Sequence, residues 1–371
     1  MSMSTKLIYI ISDIHKSLAF EWIADQHDQS KFDLQFILLN SEPTPLEDFL
    51  VKKNIIVKRF PINSFVQKIK ALSETYGYLK NVKPKIIHCH LFYASLIGLL
   101  AAKLVGIKKR IHTRHHSTYN HQYNRKGIYL DKLINYLSTD IVAISKNVQE
   151  ILIEYENVPI QKIHLIHHGF DLEAFQNVDP KKVERLKSKY KITNGPVIGV
   201  IARWIEWKGI QYIIPAFKKL LKDYPEAILV LANANGPYKS RIEHLLTDLP
   251  KTSFRIITFE EDIFTLYHLF DFYVHTPIDS QIEAFGQTYV EALAAGIPSV
   301  FTLSGVAKEI IENRKNALVV PFMDCDTIYN SILELLKIET HTSSLIKIGK
   351  DSLRPFLLSN MIHNLHQLYD E

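Results

Sequence analysis

The sequence predicts an α/β protein of two doubly wound domains, each with a parallel sheet covered by helices. Short apolar runs alternate with longer stretches of helical periodicity, which is the rhythm of βαβ units around a buried parallel sheet. The rhythm stops in a polar, lysine-rich stretch at residues 177–196 and then restarts. At 371 residues the chain is also longer than one compact core usually is.

The first half contains short apolar runs in which isoleucine recurs. The predicted strands cover residues 7–12, 34–40, 55–60, 85–90, 109–115, 141–145 and 163–169. Helical periodicity is clear at residues 64–81, 94–105 and 128–137. We therefore predict a first Rossmann-like domain over residues 1–175.

The second half repeats the pattern. Its predicted strands cover residues 197–204, 227–234, 253–259, 272–277, 298–303 and 317–322, and its helices 209–223, 239–248, 286–295 and 326–337. This predicts a second Rossmann-like domain over 176–345, followed by a helical tail, 346–371, that packs back on the first domain. The two sheets are expected to face each other across a cleft, since ligands bind at the carboxyl ends of such strands.

Composition limits the class of protein. The two cysteines, Cys89 and Cys325, cannot build a disulfide framework or a CxxC metal site, so a reducing compartment is the simpler interpretation. The most apolar stretch, residues 94–107, is interrupted by Lys103 and is too short to cross a bilayer. We expect a cytoplasmic protein that is at most peripheral at a membrane.

Positive charge is concentrated in the first half. Residues 1–175 hold 22 basic and 16 acidic side chains, whereas residues 176–371 hold 22 and 23. Within residues 49–130, sixteen basic residues face a single acid, Glu74. These basic residues either form a solvated surface or attract an anionic partner. The anionic partner would be a membrane surface or an acidic acceptor. No nucleic-acid module is visible, so nucleic acid is not an expected partner.

The segment "GVIARWIEWKG", residues 199–209, places two cations in a turn between a strand and a helix. Arg203 offers a bidentate fork and Lys208 a point charge, a combination that suits a diphosphate. A basic turn by itself is more often only a solvated loop.

The segment "IEAFGQTYVEALAAGIPSV", residues 282–300, places one glutamate before a helix and another inside it. The helix is predicted to begin at about Phe285–Gly286, so Glu283 lies in the preceding loop. Gly286 lets a ligand approach the backbone closely, and the first N–H groups of the helix favour phosphate. Glu291 can accept hydrogen bonds from two neighbouring hydroxyls, as on a ribose.

Together with "SGVAKEIIENRKNALVVP" at residues 304–321, these segments resemble the retaining nucleotide-sugar glycosyltransferases of family 4 (glycosyl transferases group 1), which have the GT-B fold. The resemblance covers most of the chain and is strongest over residues 197–322. It implies transfer from a nucleoside-diphosphate sugar, with a UDP-sugar expected, to a glycan or lipid-linked glycan in polysaccharide or glycoconjugate biosynthesis. It also implies retention at the anomeric carbon and no metal ion or other cofactor, because cations take the place of a metal.

The resemblance implies roles residue by residue. Arg203 and Lys208 hold the diphosphate, Glu283 contacts the donor sugar and Glu291 the ribose. In "RIHTRHHST", residues 110–118, His115 is the better match for a histidine that faces the transferred sugar. The residues implied in catalysis are Arg203, Lys208, Glu283 and His115. Those implied in donor binding are Glu291, Phe285, Gly286, Gln287 and Gly305. Those implied on the acceptor side are His90, His116 and His15.

The sequence departs from the family pattern in the first domain. The family places a Gly-Gly pair after the first strand, whereas this chain has no glycine from residue 12 to 20. Ala202 and Ala317 stand where glycine is common, and His168 stands where asparagine is usual.

Two metal hypotheses compete. Asp13-x-His15 after the first strand mimics the first motif of metallophosphoesterases, but the further motifs of a dimetal site do not follow. Four histidines lie close in sequence, yet no carboxylate is expected nearby to complete a zinc set. These histidines are His112, His115, His116 and His121.

Two alternatives share the GT-B fold. One is a nucleotide-sugar-binding protein without transferase activity, and the other is an epimerase. The joint presence of Arg203, Lys208, Glu283 and Glu291 argues against the first. A phosphorylase would need a lysine context for pyridoxal phosphate that the sequence lacks.

Overall fold

Two parallel sheets organise the chain, as the alternation of apolar runs predicts. The computed structural model describes residues 4–193, 195–337 and 339–371. These residues divide into two compact units. The first runs to Phe170 and includes Leu358–Glu371, and the second is Asp171–Leu357.

The first sheet has its strands in the order β3-β2-β1-β4-β5-β6-β7, and all neighbouring pairs are parallel. All seven strands predicted in the first half are confirmed. The chain reverses its direction across the sheet between β1 and β4, which is the switch point where such sheets bind ligands. The strands are β1 (Thr5–Ser12), β2 (Phe32–Leu39), β3 (Val57–Arg59), β4 (Ile86–His90), β5 (Lys109–Arg114), β6 (Asp140–Ala143) and β7 (Ile163–Leu165).

Three helices of the first unit, α2, α3 and α7, begin at a threonine or serine whose hydroxyl accepts from a backbone N–H. The Ser64 hydroxyl accepts from the Gln67 N–H and the Gln67 side chain accepts from the Ser64 N–H, a capping box that starts the longest of them. The predictions at 64–81, 94–105 and 128–137 are confirmed. The helices are α1 (Leu18–Gln26), α2 (Pro45–Lys52), α3 (Phe65–Val82), α4 (Phe92–Val105), α5 (Tyr119–Tyr123), α6 (Gly127–Leu137) and α7 (Lys146–Glu154).

The second sheet is also parallel, in the order β10-β9-β8-β11-β12-β13. The six strands predicted in the second half are confirmed. They are β8 (Val197–Ile201), β9 (Ile228–Ala232), β10 (Phe254–Ile257), β11 (Phe272–His275), β12 (Ser299–Phe301) and β13 (Leu318–Val319).

The lysine-rich stretch between the two strand–helix patterns contains a helix. Asp179 caps it and Pro180 occupies its first position, so its lysines lie on a solvated helix. The later helices are α8 (Pro180–Tyr190), α9 (Ile210–Asp223), α10 (Lys239–Leu246), α11 (Ile263–Tyr267), α12 (Gln287–Ala295), α13 (Ala307–Ile310), α14 (Cys325–Lys337), α15 (Glu339–Asp351) and α16 (Leu358–Asp370).

Alternate residues of β1 face opposite sides of the first sheet. Ile8 and Ile10 pack under α3, α4 and α6. Leu7 and Ile11 pack on the other side, under α1, α2 and α16. Because both faces are covered, the strands read as continuous apolar runs in the sequence. Among the described residues, no helix is both long and apolar enough to cross a membrane.

Helix α16 is fixed to the first sheet by buried hydrogen bonds. The hydroxyl of Tyr369 lies 2.5 Å from the hydroxyl of Tyr9 and 2.7 Å from Nδ1 of His88. His88 Nε2 lies 2.6 Å from Oγ1 of Thr113, so the network reaches β5. Each of these polar atoms is thereby satisfied in the core.

Replacing Tyr369 with phenylalanine is therefore expected to lower the free energy of unfolding by about 1–3 kcal/mol, because it leaves buried partners unpaired. Urea denaturation followed by circular dichroism measures the change. Tyr136→Phe, on the exposed face of α6, is the matched control. Equal midpoints for the two variants would show that the buried hydroxyl contributes no net stability.

Candidate functional site

The turn after β8 carries both predicted diphosphate ligands. Residues Glu206–Lys208 form a single 3-10 turn, and Gly209 follows with a φ of +74°. A Cβ on Gly209 would lie 1.8 Å from the carbonyl oxygen of Thr276. Only glycine therefore lets this turn lie against the end of β11. The close approach brings Lys208 to the loop that follows β11.

Glu283 lies in that loop and is buried, with 7% of its surface exposed. Lys208 donates from Nζ to Glu283 Oε1 at 2.6 Å, and the Glu283 N–H donates to Ser304 Oγ at 3.3 Å. Burial alone would raise the pKa of Glu283, but the Lys208 charge and the nearby His275 hold it at about 2. The structure thus keeps an ionised carboxylate in a buried position beside a cation.

Gly305 packs the loop after β12 against the same segment. Its φ is +57°, and a Cβ there would lie 2.6 Å from the Phe285 carbonyl oxygen and 2.9 Å from Glu283 Cβ. The Val306 N–H donates to the Phe285 carbonyl at 2.9 Å. The structure therefore brings Lys208, Glu283, Phe285 and Gly305 together.

Helix α12 begins at Gln287, one residue after Gly286, which has a φ of +86°. Gly286 has no side chain that could cap the helix. The Tyr289 N–H donates to the Gly286 carbonyl at 3.1 Å, and the N–H groups of Gln287 and Thr288 precede it, at the position where helices bind anions. Gln287 is exposed beside them. An anion would be favoured here by the helix dipole.

Glu291 lies on the second turn of α12 and has a different environment from Glu283. Its Oε2 accepts from the Tyr267 hydroxyl at 2.7 Å, and Tyr267 itself is buried. Burial raises the pKa of Glu291 to about 7, since the Tyr267 hydroxyl offsets only part of the desolvation. At neutral pH this carboxyl is therefore close to half ionised.

Arg203 is the most exposed of the predicted catalytic side chains in the second unit. Within the described parts of the chain, its guanidinium has no hydrogen-bond or ion-pair partner. It is a cation available to a ligand.

Sequence reasoning missed His275 and Tyr267. His275 is the last residue of β11, and its Nε2 lies 3.5 Å from Glu283 Oε1. Burial lowers the pKa of His275, so the ring is neutral at pH 7. Its place at the carboxyl end of a strand is a signal that could have found it. Tyr267 comes from the five-residue helix α11, where no local pattern marks it.

In the first unit, His90 is the last residue of β4 and His115 follows the neighbouring strand β5, and their rings meet. His90 Nδ1 lies 3.1 Å from His115 Nε2, and the His115 ring stacks on His168 at 5.6 Å between centroids. Burial and the neighbouring imidazoles hold the pKa of His90 and of His115 well below its usual range. Both predicted side chains are neutral hydrogen-bonding groups at pH 7.

His116 belongs to a buried ion network beside this pair. Its Nε2 lies 3.1 Å from both oxygens of Asp131. Arg114, which is fully buried, donates to Asp131 at 3.1 Å, to Glu156 and, from Nε, to the His116 carbonyl at 3.0 Å. The network fixes the backbone on both sides of His115.

The structure corrects one premise of the zinc hypothesis. A carboxylate, Asp131, does lie beside His116. Nevertheless, the described residues hold no group of three or more histidine, cysteine, aspartate or glutamate side chains placed to bind a metal ion. His15 is exposed, and its carbonyl accepts from the Leu46 N–H at 3.3 Å.

Two family models match the chain. The model for Glycosyltransferase Family 4 matches residues 23–174, and the model for Glycosyl transferases group 1 matches residues 182–352. Between them they cover β2–β13 and the loops that hold Lys208, Glu283 and His115.

Two proteins are similar in sequence to this chain. Mannosylfructose-phosphate synthase of Agrobacterium fabrum is 28% identical over 250 residues, which is 64% of this chain and 54% of that protein. The chain thus matches only about half the length of that relative. UDP-Gal:alpha-D-GlcNAc-diphosphoundecaprenol alpha-1,3-galactosyltransferase of Escherichia coli is 22% identical over 316 residues, 82% of this chain and 80% of that protein.

Among solved structures, HepE of Anabaena in complex with UDP and glucose superposes with a TM-score of 0.86 at 17% identity. The match covers 99% of this chain and 100% of that chain. It establishes a shared fold, GT-B.

The raised pKa of Glu291 makes stability depend on pH. The folded state holds this proton more tightly than the unfolded chain, whose glutamate pKa is near 4.5, so stability falls as pH rises from about 4.5 to about 7. Glutamine cannot ionise, so the Glu291→Gln variant does not lose this stability as pH rises. We expect the variant to gain up to about 3 kcal/mol over the wild type between pH 5 and pH 8.

Urea denaturation at the two pH values measures this difference. Glu243→Gln, an exposed glutamate of α10, is the matched control and should track the wild type at both. A Glu291→Gln curve parallel to the wild type would place the Glu291 pKa near its ordinary value.

Proposed function

From the chain's membership of the GT-B glycosyltransferases of family 4, we propose that it transfers a sugar from a nucleoside-diphosphate sugar to a hydroxyl acceptor, with retention at the anomeric carbon. The observation that carries this proposal is the Lys208–Glu283 pair, at 2.6 Å, in the loop that leads into α12. A cation, an ionised carboxylate and a helix N-terminus are the groups that a sugar diphosphate requires.

The difficult event is departure of the nucleoside diphosphate. Negative charge develops on the leaving phosphate while the sugar becomes positive. Lys208, Arg203 and the N–H groups at the start of α12 supply fixed positive charge for the leaving group, which is electrostatic catalysis by preorganised groups. We propose that these cations make the reaction independent of a metal ion.

Glu283 is proposed to hold hydroxyls of the donor sugar. With a pKa of about 2 it is ionised at neutral pH, so it accepts hydrogen bonds and cannot act as a general acid. Lys208 fixes the position of one carboxylate oxygen, and a carboxylate can accept several hydrogen bonds at once.

Glu291 is proposed to bind the two ribose hydroxyls. One of its oxygens accepts from Tyr267, which sets the orientation of the carboxylate, and its remaining lone pairs can accept from the ligand. Because its pKa lies near 7, donor hydroxyls favour the ionised form, and binding is expected to strengthen as pH rises through neutrality.

His115 is proposed to contact the transferred sugar as a neutral group held by His90. Retention is proposed to follow from attack on the face that the diphosphate leaves, with the leaving phosphate accepting the acceptor proton. The new glycosidic bond forms as the sugar–phosphate bond breaks.

A UDP-sugar is the proposed donor, and a glycan or lipid-linked glycan is the proposed acceptor. The structural neighbour HepE binds UDP and glucose. The Escherichia coli relative is named for transfer from UDP-Gal to a diphosphoundecaprenol-linked sugar. The first finding supports a UDP-sugar donor. The second supports a lipid-linked acceptor, and with it a role in polysaccharide or glycoconjugate synthesis for a protein peripheral to a membrane.

Thermal-shift measurements with UDP, GDP, ADP and TDP and their common sugars, with and without EDTA, test the donor site. We expect one nucleotide to stabilise the protein, EDTA to leave the shift intact and Glu291→Ala to abolish it. Glu243→Ala is the control that should respond as the wild type does. Stabilisation by divalent metal alone, with no nucleotide response, would instead favour the phosphoesterase hypothesis.

Lys208→Ala is expected to lower turnover by about 10²–10³-fold, since loss of one charged contact to the leaving group costs about 2–4 kcal/mol. Arg203→Ala should act in the same direction. Product formation from the donor identified by thermal shift is measured at a temperature where each variant is folded, because Lys208→Ala also removes a cation from the buried Glu283.

Lys218→Ala provides the control, because Lys218 also pairs with an acid, Asp248, at 2.8 Å but on the exposed surface of α9. Unchanged turnover in Lys208→Ala would refute the diphosphate assignment. Donor binding without any transfer in the wild type would favour the non-catalytic alternative.

A further inference from the structure

Helix α6 presents an exposed apolar stripe. Tyr129 is 76% exposed, Leu133 40% and Tyr136 69%. Their spacings of four and three residues place them on one side of the helix. The opposite side of α6 is buried through Ile134 and Leu137, so the stripe points away from the core.

Helices α3 and α4 extend this surface, because α4 packs between α3 and α6 over the same side of the sheet. On the first turns of α3, Phe65 is 76% and Val66 72% exposed, and Ile69 is also exposed. Leu104 at the end of α4 is exposed as well. Single exposed apolar residues are ordinary, but this many on adjoining helices indicate a surface that binds something.

Lysines lie among these apolar side chains. Lys103 places Nζ 4.0 Å from the ring centre of Tyr136, and Lys68 places Nζ 3.9 Å from that of Tyr93. Lys126 and Lys132 flank the stripe on α6 and are exposed. Long lysine side chains of this kind bury their stems on apolar surface and keep the charge outside.

Negative charge is nearly absent from the same helices. The sequences of α3, α4 and α6 contain two acids, Glu74 and Asp131. Glu74 pairs with Lys70 at 3.8 Å, and Asp131 is buried against Arg114. The outer surface therefore combines exposed aromatic and aliphatic side chains with positive charge.

The second unit shows that this charge pattern is not general to the chain. Its exposed basic side chains are commonly paired with acids. Examples are Lys218–Asp248, Lys219–Asp326, Lys239–Glu243 and Arg314–Glu334.

We propose that the outer surface of α3, α4 and α6, here named the lipid face, binds an anionic phospholipid bilayer. Aromatic rings would enter the headgroup region while lysines meet lipid phosphates. A second copy of this chain fits less well, because two such faces would bring lysines against lysines. The lipid face consists of Phe65, Val66, Ile69, Leu104, Tyr129, Leu133 and Tyr136 with Lys68, Lys70, Lys103, Lys126 and Lys132.

The lipid face deepens the proposed function and rests on it, because membrane binding would bring the enzyme to a lipid-linked acceptor. It does not rest on that function for its test, because binding to vesicles requires no donor and no transfer.

Co-sedimentation with vesicles of phosphatidylcholine and phosphatidylglycerol (3:1), and of phosphatidylcholine alone, tests the lipid face. We expect the wild type to bind the anionic vesicles at least ten-fold more tightly, and the difference to shrink as salt is raised. Tyr129→Ser with Tyr136→Ser, and separately Lys126→Glu with Lys132→Glu, should each lower binding by about ten-fold or more.

Two matched controls lie in the second unit. Phe259→Ser removes an apolar side chain that is 60% exposed, and Lys181→Glu reverses an exposed lysine of α8. Both should bind as the wild type does. Equal binding to the two vesicle types, or full binding by the α6 variants, would overturn the proposal.

Sedimentation velocity adds an independent outcome. A wild-type dimer that the Tyr129/Tyr136 variant dissociates would reassign this surface to an interface between copies and overturn the lipid assignment. Nucleotide-induced thermal shifts on the same samples separate the two proposals. A retained shift without vesicle binding rejects the lipid face alone, and vesicle binding without any nucleotide response rejects the proposed function alone.

Discussion

The ion pair between Lys208 and Glu283 is the interaction on which the second unit's candidate site depends. It joins the turn after β8 to the loop after β11, segments 75 residues apart. A buried carboxylate that lost its cation would be strongly destabilising, so the pair fixes both segments relative to α12. Glycines at 209 and 305 make the approach possible, because a Cβ at either would collide with backbone. The Lys208–Glu283 pair therefore depends on the backbone conformation at these two glycines.

The two glutamates around the start of α12 show how neighbours decide ionisation. Glu283 is buried and Glu291 is partly buried, yet the pKa of the first is lowered to about 2 and that of the second raised to about 7. Lys208 and His275 account for the difference, since among the described residues the partner of the Glu291 carboxyl is the neutral hydroxyl of Tyr267. One carboxylate is thus permanently charged, whereas the other is poised to respond to a bound ligand.

The first unit uses buried polar groups differently. Its buried charges compensate one another inside the network around Arg114, and burial keeps His90 and His115 neutral by lowering the pKa of each. The result is a rigid carboxyl edge at β4 and β5, in which His90 and His115 hold each other in place. The outer helices of this unit, in contrast, carry exposed lysines and few acids. The same unit therefore combines a neutral candidate site with a cationic exterior.

Sequence alone determined the architecture and the positions of the chemistry. Apolar period and turn residues are local properties, so they located the strands of both sheets and put Lys208 and Glu283 at strand ends. Only the tertiary structure decided which of these side chains meet. The ion pair itself, the contact of Tyr267 with Glu291, the place of His275 beside Glu283 and the carboxylate of Asp131 near the histidines all join segments distant in sequence. Such contacts, and the pKa values that follow from them, depend on packing between elements, which no local pattern encodes.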